Sequence, residues 1–207
     1  MLRISEIFKS IQGESTYAGF PCAFVRLAGC NLNCSYCDTP EARQGGEEKS
    51  IEEIMDKVRS LGGKLVEVTG GEPLLQDETP ILVRMLLDEG FEVLVETNGT
   101  VSFEGIDRRA VVIMDIKCPS SGESDKTRWA NIGLLKRKDE VKFVVGSWED
   151  YEWAKDVINE IGLASRCKVL MSPSYGVLLP RELADWIIND GLGVRLQIQL
   201  HKYIQQK

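Results

Sequence analysis

Gly29-Cys30-Asn31-Leu32-Asn33-Cys34-Ser35-Tyr36-Cys37-Asp38-Thr39 sets three cysteines at C-x3-C-x2-C spacing within eight residues. Three thiolates this close can hold three corners of an iron–sulfur cube, and no fourth cysteine follows at ligand spacing. One iron would then lack a protein ligand, and an open iron is a place for chemistry rather than electron storage alone. Two blander readings stand beside this one. Zinc would need a fourth ligand, and structural zinc sites usually show a second paired motif; the only histidine, His201, is far away in sequence. Inert thiols are the other reading, and the default for the isolated Cys22, Cys118 and Cys167.

Outward from this loop, short β-branched runs alternate with amphipathic stretches. Strands are expected at Ala23–Leu27, Leu65–Val68, Glu92–Glu96, Val111–Asp115, Val141–Val145 and Lys168–Met171, several nearly all apolar, as for strands covered on both faces. Helical stripes run through Ile51, Ile54, Met55 and Val58, through Ala154, Val157, Ile158 and Ile161, and from Leu183 through Trp186 and Ile187. Ser50 followed by Glu53 is a capping-box signature for the first. Strand–helix alternation implies a parallel sheet with right-handed crossovers. A complete eight-unit barrel needs about 250 residues, and 207 leave room for roughly six units. The expected fold is α/β, an open partial (β/α)6 TIM-type barrel of parallel strands, a single domain over 1–207. One crossover, Ser120–Asp139, looks irregular. A flat doubly wound sheet is the alternative.

Thr69-Gly70-Gly71-Glu72-Pro73, Glu96-Thr97-Asn98-Gly99-Thr100, Asp115-Ile116-Lys117-Cys118-Pro119-Ser120 and Ser172-Pro173-Ser174-Tyr175 close four of the expected strands. Carboxyl ends of parallel strands share one face, where ligands bind. The net charge of −7 argues against a broad phosphate-binding face and so against nucleic acid. No apolar run reaches membrane-spanning length and the first residues lack a signal-peptide core, so a cytoplasmic, reducing location is expected, with no membrane partner.

Cys30, Cys34 and Cys37 together with Thr69-Gly70-Gly71-Glu72-Pro73 resemble the radical S-adenosylmethionine (SAM) superfamily. Phe8-Lys9-Ser10-Ile11-Gln12-Gly13-Glu14, Arg26, Cys37-Asp38-Thr39 and Gln199-Leu200-His201-Lys202 narrow the resemblance to the 7-carboxy-7-deazaguanine synthases, a lyase family of queuosine and other 7-deazapurine biosynthesis. The resemblance spans about Ile7 to Lys202. It implies a 4Fe-4S cluster on Cys30, Cys34 and Cys37, SAM on its open iron, and a magnesium ion. It implies a reaction in which a 5′-deoxyadenosyl radical takes hydrogen from 6-carboxy-5,6,7,8-tetrahydropterin, the ring contracts, ammonia leaves, and 7-carboxy-7-deazaguanine results with SAM regenerated. A flavodoxin- or ferredoxin-type electron donor and a homodimer belong to the same picture.

The resemblance also assigns residues. Ile11, Gln12, Gly13, Glu14, Arg26, Thr69, His201 and Lys207 would contact the pterin, Arg26 through its carboxylate and Glu14 through the amino and ring N–H edge. Tyr36, Cys37, Asp38, Gly71, Asp115, Ile116, Lys117, Ser172, Pro173, Ser174 and Tyr175 would contact SAM, and Thr39 the magnesium ion, which prefers oxygen. Without the resemblance, Arg26 reads as an edge salt bridge, Asp38 as a helix cap, Glu14 and Glu72 as surface charges, and His201 as structural. Ser15 stands where the family often has glycine, and Tyr36 where it often has tryptophan. Two rivals remain: an activating enzyme that installs a glycyl radical on a partner protein, and a zinc-binding interaction module.

Overall fold

The nearly all-apolar runs become strands because both of their faces are covered. Every residue of Val111–Ile116 is buried. The computed structural model describes residues 1–206. Its strands are β1 (Leu2–Ile11), β2 (Pro21–Leu27), β3 (Glu47–Lys49), β4 (Leu65–Gly70), β5 (Glu92–Thr97), β6 (Val111–Ile116), β7 (Glu140–Val145), β8 (Lys168–Pro173) and β9 (Arg195–Leu196). Its α-helices are α1 (Ile51–Leu61), α2 (Thr79–Asp88), α3 (Trp148–Ile161), α4 (Pro180–Asp190) and α5 (Leu200–Tyr203). The strands form one sheet in the order β3-β1-β2-β4-β5-β6-β7-β8-β9. From β2 through β9 all pairs are parallel, and the two ends of the sheet do not pair, so the barrel is open. None of the helices among the described residues is long and apolar enough to cross a membrane.

All six expected strands form. The antiparallel β1 and β3 beyond β2, and the short β9, are additions. The Ser120–Asp139 crossover holds only 3-10 turns, and a second crossover, from β5 to β6, is likewise without an α-helix. α1 opens with the expected capping box: Ser50 Oγ accepts from the Glu53 amide, and the Glu53 carboxylate accepts from the Ser50 amide. It buries Ile54, Met55 and Val58; each such side chain is worth about 1.5–3 kcal/mol when fully buried. α3 is capped by Ser147 and stops at Gly162, whose φ is +66°. Trp148, Tyr151 and Trp186 pack together between α3 and α4, and Trp153 meets Phe143 edge-on.

Side chains alternate across each strand, and this alternation builds the site. The outer set, including Val25, Leu27, Val66, Val68, Val93, Val95, Val112, Met114, Val141 and Phe143, joins the main core under the helices. The inner set begins with a small apolar floor of Cys22, Phe24, Leu65, Leu94, Val111 and Ile113. Two residues further along the same inner faces come Arg26, Glu67, Glu96 and Asp115, with Lys142 on β7.

Candidate active site

A cavity of about 700 Å³ opens above that apolar floor. Cys30, Cys34 and Cys37 line it from one side, Gly13, Glu14 and His201 from another, and Arg26, Thr69, Glu96, Asp115 and Lys142 from the strands.

The cysteine loop leaves β2 and is tied down at both ends. Gly29 accepts from the Glu72 amide at 2.8 Å, and Leu27 from the Gly71 amide at 3.1 Å. A Cβ at Gly71 would overlap the Gly29 carbonyl and crowd Cys30 Cβ, so the glycines let the two loops lie backbone to backbone. Glu72 clamps the arrangement from below. It is fully buried, correcting its reading as a surface charge, and accepts from Thr97 Oγ1 (2.8 Å), the Asn98 amide (2.6 Å) and the Leu74 amide (3.0 Å). Burial pushes its carboxyl up to about 7, against those hydrogen bonds. On the far side, Ser35 bonds the Ser120 and Ser121 carbonyls, Arg43 bonds the Cys34 carbonyl, and Tyr36 donates to the Val144 carbonyl at 3.2 Å.

Lys142, absent from the sequence-derived site, is the electrostatic centre. Its Nζ lies 2.7 Å from Glu14 Oε2, 2.6 Å from Glu96 Oε1 and 3.3 Å from Asp115 Oδ2. Glu96 in turn accepts from Thr69 Oγ1 at 3.2 Å. Glu67, also unexpected, is buried and accepts from Gln12 Nε2. Burial, then the charge of Glu96, pushes the Glu67 carboxyl up to about 8. The signal for all of these was in plain view: a single charged residue inside an apolar run that is buried on both faces.

Arg26 does make the edge salt bridge, Nε to Glu6 Oε1 at 2.9 Å, and still lines the cavity. Glu14 is no surface charge; besides Lys142 it accepts from Gln199 Nε2 at 2.8 Å and Gln197 Nε2 at 3.3 Å. The His201 ring lies against Gly13, where a Cβ would overlap it, and the Leu200 amide donates to the Gly13 carbonyl at 2.9 Å. Burial lowers the His201 proton affinity. Ser15 has φ of +63°, a left-handed backbone that glycine adopts most readily; here Gln197 Oε1 holds its amide at 2.6 Å.

Other expectations change. Asp38 caps no helix; it accepts from Gln199 Nε2 at 3.2 Å and lines the cavity. Thr39 precedes a 3-10 turn but makes no side-chain capping bond, and it lines the cavity. Ile116 is buried in the outer core and Ser172 beneath the surface, so neither side chain lines the cavity; Pro173 lines a separate groove. Ser174, Tyr175 and Lys117 do line it. Ile11 and Gln12 line the cavity as expected, with Gln12 also donating to Glu67 and Ile11 pairing with Pro21 in the sheet. Lys207 lies outside the described residues.

The donor set fits an iron–sulfur cluster. Among the described residues all six cysteines are free, and none of the three loop thiols belongs to a trio of donors within 4.8 Å of one another, as a lone ion would want. The one such trio is Glu14, Asp38 and His201 on the cavity wall, where Lys142 and Gln199 also bond Glu14. Asp115 Oδ1 is buried without a partner in a residue that lines the cavity, an acceptor suited to a bound donor such as SAM.

The Radical SAM superfamily model matches residues 25–171. Fold and thiol loop therefore define a radical SAM enzyme. The 7-carboxy-7-deazaguanine synthase of Chlorobaculum tepidum is 49% identical over 206 residues, covering 98% of this chain and 94% of the relative; that of Koribacter versatilis is 41% identical, covering 98% and 96%. The chain belongs to the 7-carboxy-7-deazaguanine synthase family. Its cofactors are accordingly a 4Fe-4S cluster, SAM and Mg2+. The crystal structure of QueE from Escherichia coli shares the fold, with a TM-score of 0.74 at 22% identity over 97% of this chain and 94% of that one. The glycyl-radical activase and zinc-module readings are set aside.

Proposed function

We propose that the ring contraction of 6-carboxy-5,6,7,8-tetrahydropterin to 7-carboxy-7-deazaguanine takes place in the 700 Å³ cavity, with the roles divided as follows. Cys30, Cys34 and Cys37 hold the cluster. With SAM bound, the cluster supplies a one-electron route to hydrogen abstraction. Arg26, oriented by Glu6 at its Nε, directs its other N–H donors to the pterin carboxylate. Glu14 accepts from the amino and ring N–H edge; a carboxylate has about four acceptor positions, so it can do this while bonded to Lys142 and Gln199. Thr69 and His201 flank the substrate, and Thr39 offers its hydroxyl to Mg2+. The apolar floor excludes water from beneath. A flavodoxin- or ferredoxin-type electron donor, a homodimer, a single-domain organisation and a cytoplasmic location belong to the same proposal; the free thiols support a reducing compartment.

The observation that carries this reading is the convergence of three thiols, Arg26, Glu14, Thr69 and His201 on one cavity. The test is anaerobic turnover of the carboxytetrahydropterin by cluster-reconstituted protein. Cys34→Ala should give none. Arg26→Ala should raise the KM for pterin and leave SAM binding unchanged, and Thr39→Ala should blunt the response to magnesium. A reconstituted wild type that cleaves SAM but leaves the pterin intact overturns the reading.

A further inference from the structure

We propose that Lys142 is a positioning residue that holds the Glu14 carboxylate in place and thereby sets the pocket's preference for ligands presenting a row of N–H donors. The inference rests on the pterin reading above and deepens it, by naming what makes the recognising carboxylate discriminate.

The geometry is specific. Lys142 donates hydrogen bonds to Glu14 after β1 (2.7 Å) and Glu96 on β5 (2.6 Å) and forms an ion pair with Asp115 on β6 (3.3 Å), three carboxylates from three parts of the chain. Its side chain is 6% exposed. Held among these three groups, Lys142 acts through its partners rather than on the substrate. The charged groups facing it are Glu14, Glu67, Glu96 and Asp115, with Lys117 and His201 as the other titratable neighbours.

Four carboxylates in one half-dry cavity cannot all stay ionised without a counter-charge. Lys117 lies 2.9 Å from Asp115, and Arg26 bonds Glu6; the ammonium on Glu14 and Glu96 is that of Lys142. The direction of the shifts agrees. Burial alone would raise the Asp115 carboxyl, but Lys117 and Lys142 hold it below the usual range. Glu67 sits at about 8 even with Lys142 pulling it down. Burial alone would strip the proton from Lys142, and Asp115, Glu14 and Glu96 outweigh it, so the ammonium is kept.

A carboxylate accepts at both oxygens, whereas a carboxylic acid also donates. Glu14 held as the carboxylate therefore accepts an amino-plus-N–H edge and rejects an edge that presents a carbonyl, because that carbonyl would face an unpaired acceptor.

The probes are 6-carboxypterin and 6-carboxylumazine, which carries a carbonyl where the pterin carries its amino group. Their binding to cluster-loaded enzyme with SAM is measured by equilibrium dialysis from pH 6 to 9. Wild type should prefer the pterin by about a hundredfold or more. Lys142→Met should reduce that ratio to within about tenfold, because the Glu14 carboxylate is no longer held against the donor edge. Lys142→Arg, which keeps the charge, should restore most of the ratio. If Lys142→Met does not fold, Lys142→Gln, which keeps N–H donors without charge, takes its place. An unchanged ratio in a folded neutral variant, whatever its thermal stability, overturns the proposal. So does failure of both neutral variants to fold, since the role is then one of folding. A wild type that binds neither probe sinks the pterin reading itself, and this inference with it.

Discussion

Gly71 shows how little freedom the site leaves to a single residue. Any side chain there would collide with the Gly29 carbonyl and with Cys30 Cβ. Gly71→Ala must therefore push the cysteine loop away from the β4 loop, and we expect at least a hundredfold loss of turnover, of the order of about 3 kcal/mol, together with reduced cluster content measured as iron and sulfide per chain. Full cluster content with normal turnover would show that the loop has slack that the structure does not display. Glu67 supports a second prediction, in which sign matters. Its carboxyl is raised to about 8 in the folded protein, against about 4.3 when unfolded. The stability associated with its protonated form is complete below about pH 4 and is lost as pH rises towards 8, where a buried charge has to form. Glu67→Gln removes that charge, so its melting temperature should match wild type near pH 5 and exceed it at pH 9. A difference that stays constant across this range counts against the buried acid. Glu67 and Lys142 each stand as one charged letter in an apolar strand, a signal that marks burial without saying which partners the fold will supply. Cys30, Cys34 and Cys37 were legible because ligand spacing is local, whereas the Lys142 hub joins positions 14, 96, 115 and 142, whose proximity exists only after the sheet has formed.

At the scale of elements, the cap of α1 is a measurable contribution. Ser50→Ala removes the acceptor for the Glu53 amide and one of two donors to the Glu53 carboxylate, and should cost about 0.5–2 kcal/mol, read as a lower denaturation midpoint at unchanged m-value. No loss would mean that water serves the helix end equally well. α1 and its cap were readable because Ile54, Met55 and Val58 form a clean stripe. α2 was not: Ile81-Leu82-Val83 and Met85-Leu86-Leu87 leave little polar face to mark a helical period. β1 escaped for another reason. Its register shifts between Ile4 and Glu6 and its inner positions are only partly covered, so strict alternation never develops. The helix-free crossovers follow the same logic, since the Ser120–Asp139 segment serves the cysteine loop through the Ser120 and Ser121 carbonyls rather than covering the sheet.

At the scale of the molecule, the pocket wall is made by segments that are distant in sequence. Gln197 holds the Ser15 amide, Leu200 the Gly13 carbonyl, and Gln199 both Glu14 and Asp38. Ending the chain after Ile198 should raise the KM for pterin by about tenfold or more, as expected for lost hydrogen bonds to a charged group. SAM affinity, measured on reconstituted protein, should change less, because Asp115, Lys117 and Ser174, proposed to contact SAM, make no hydrogen bond to this segment among the described residues. Equal losses for both ligands would show that the segment supports the whole barrel. The open (β/α)6 plan was legible from the strand–helix alternation, while the wall was not, because nothing local marks which loop residues 197–201 will meet.

That wall also orders events during folding. The three thiols lie within eight residues of one another, but the contact between Ser15 and Gln197 spans 182 positions. Closing so long a loop is slower than forming local structure, so a folding chain gathers its sulfur trio before it completes the opposite wall of the cavity.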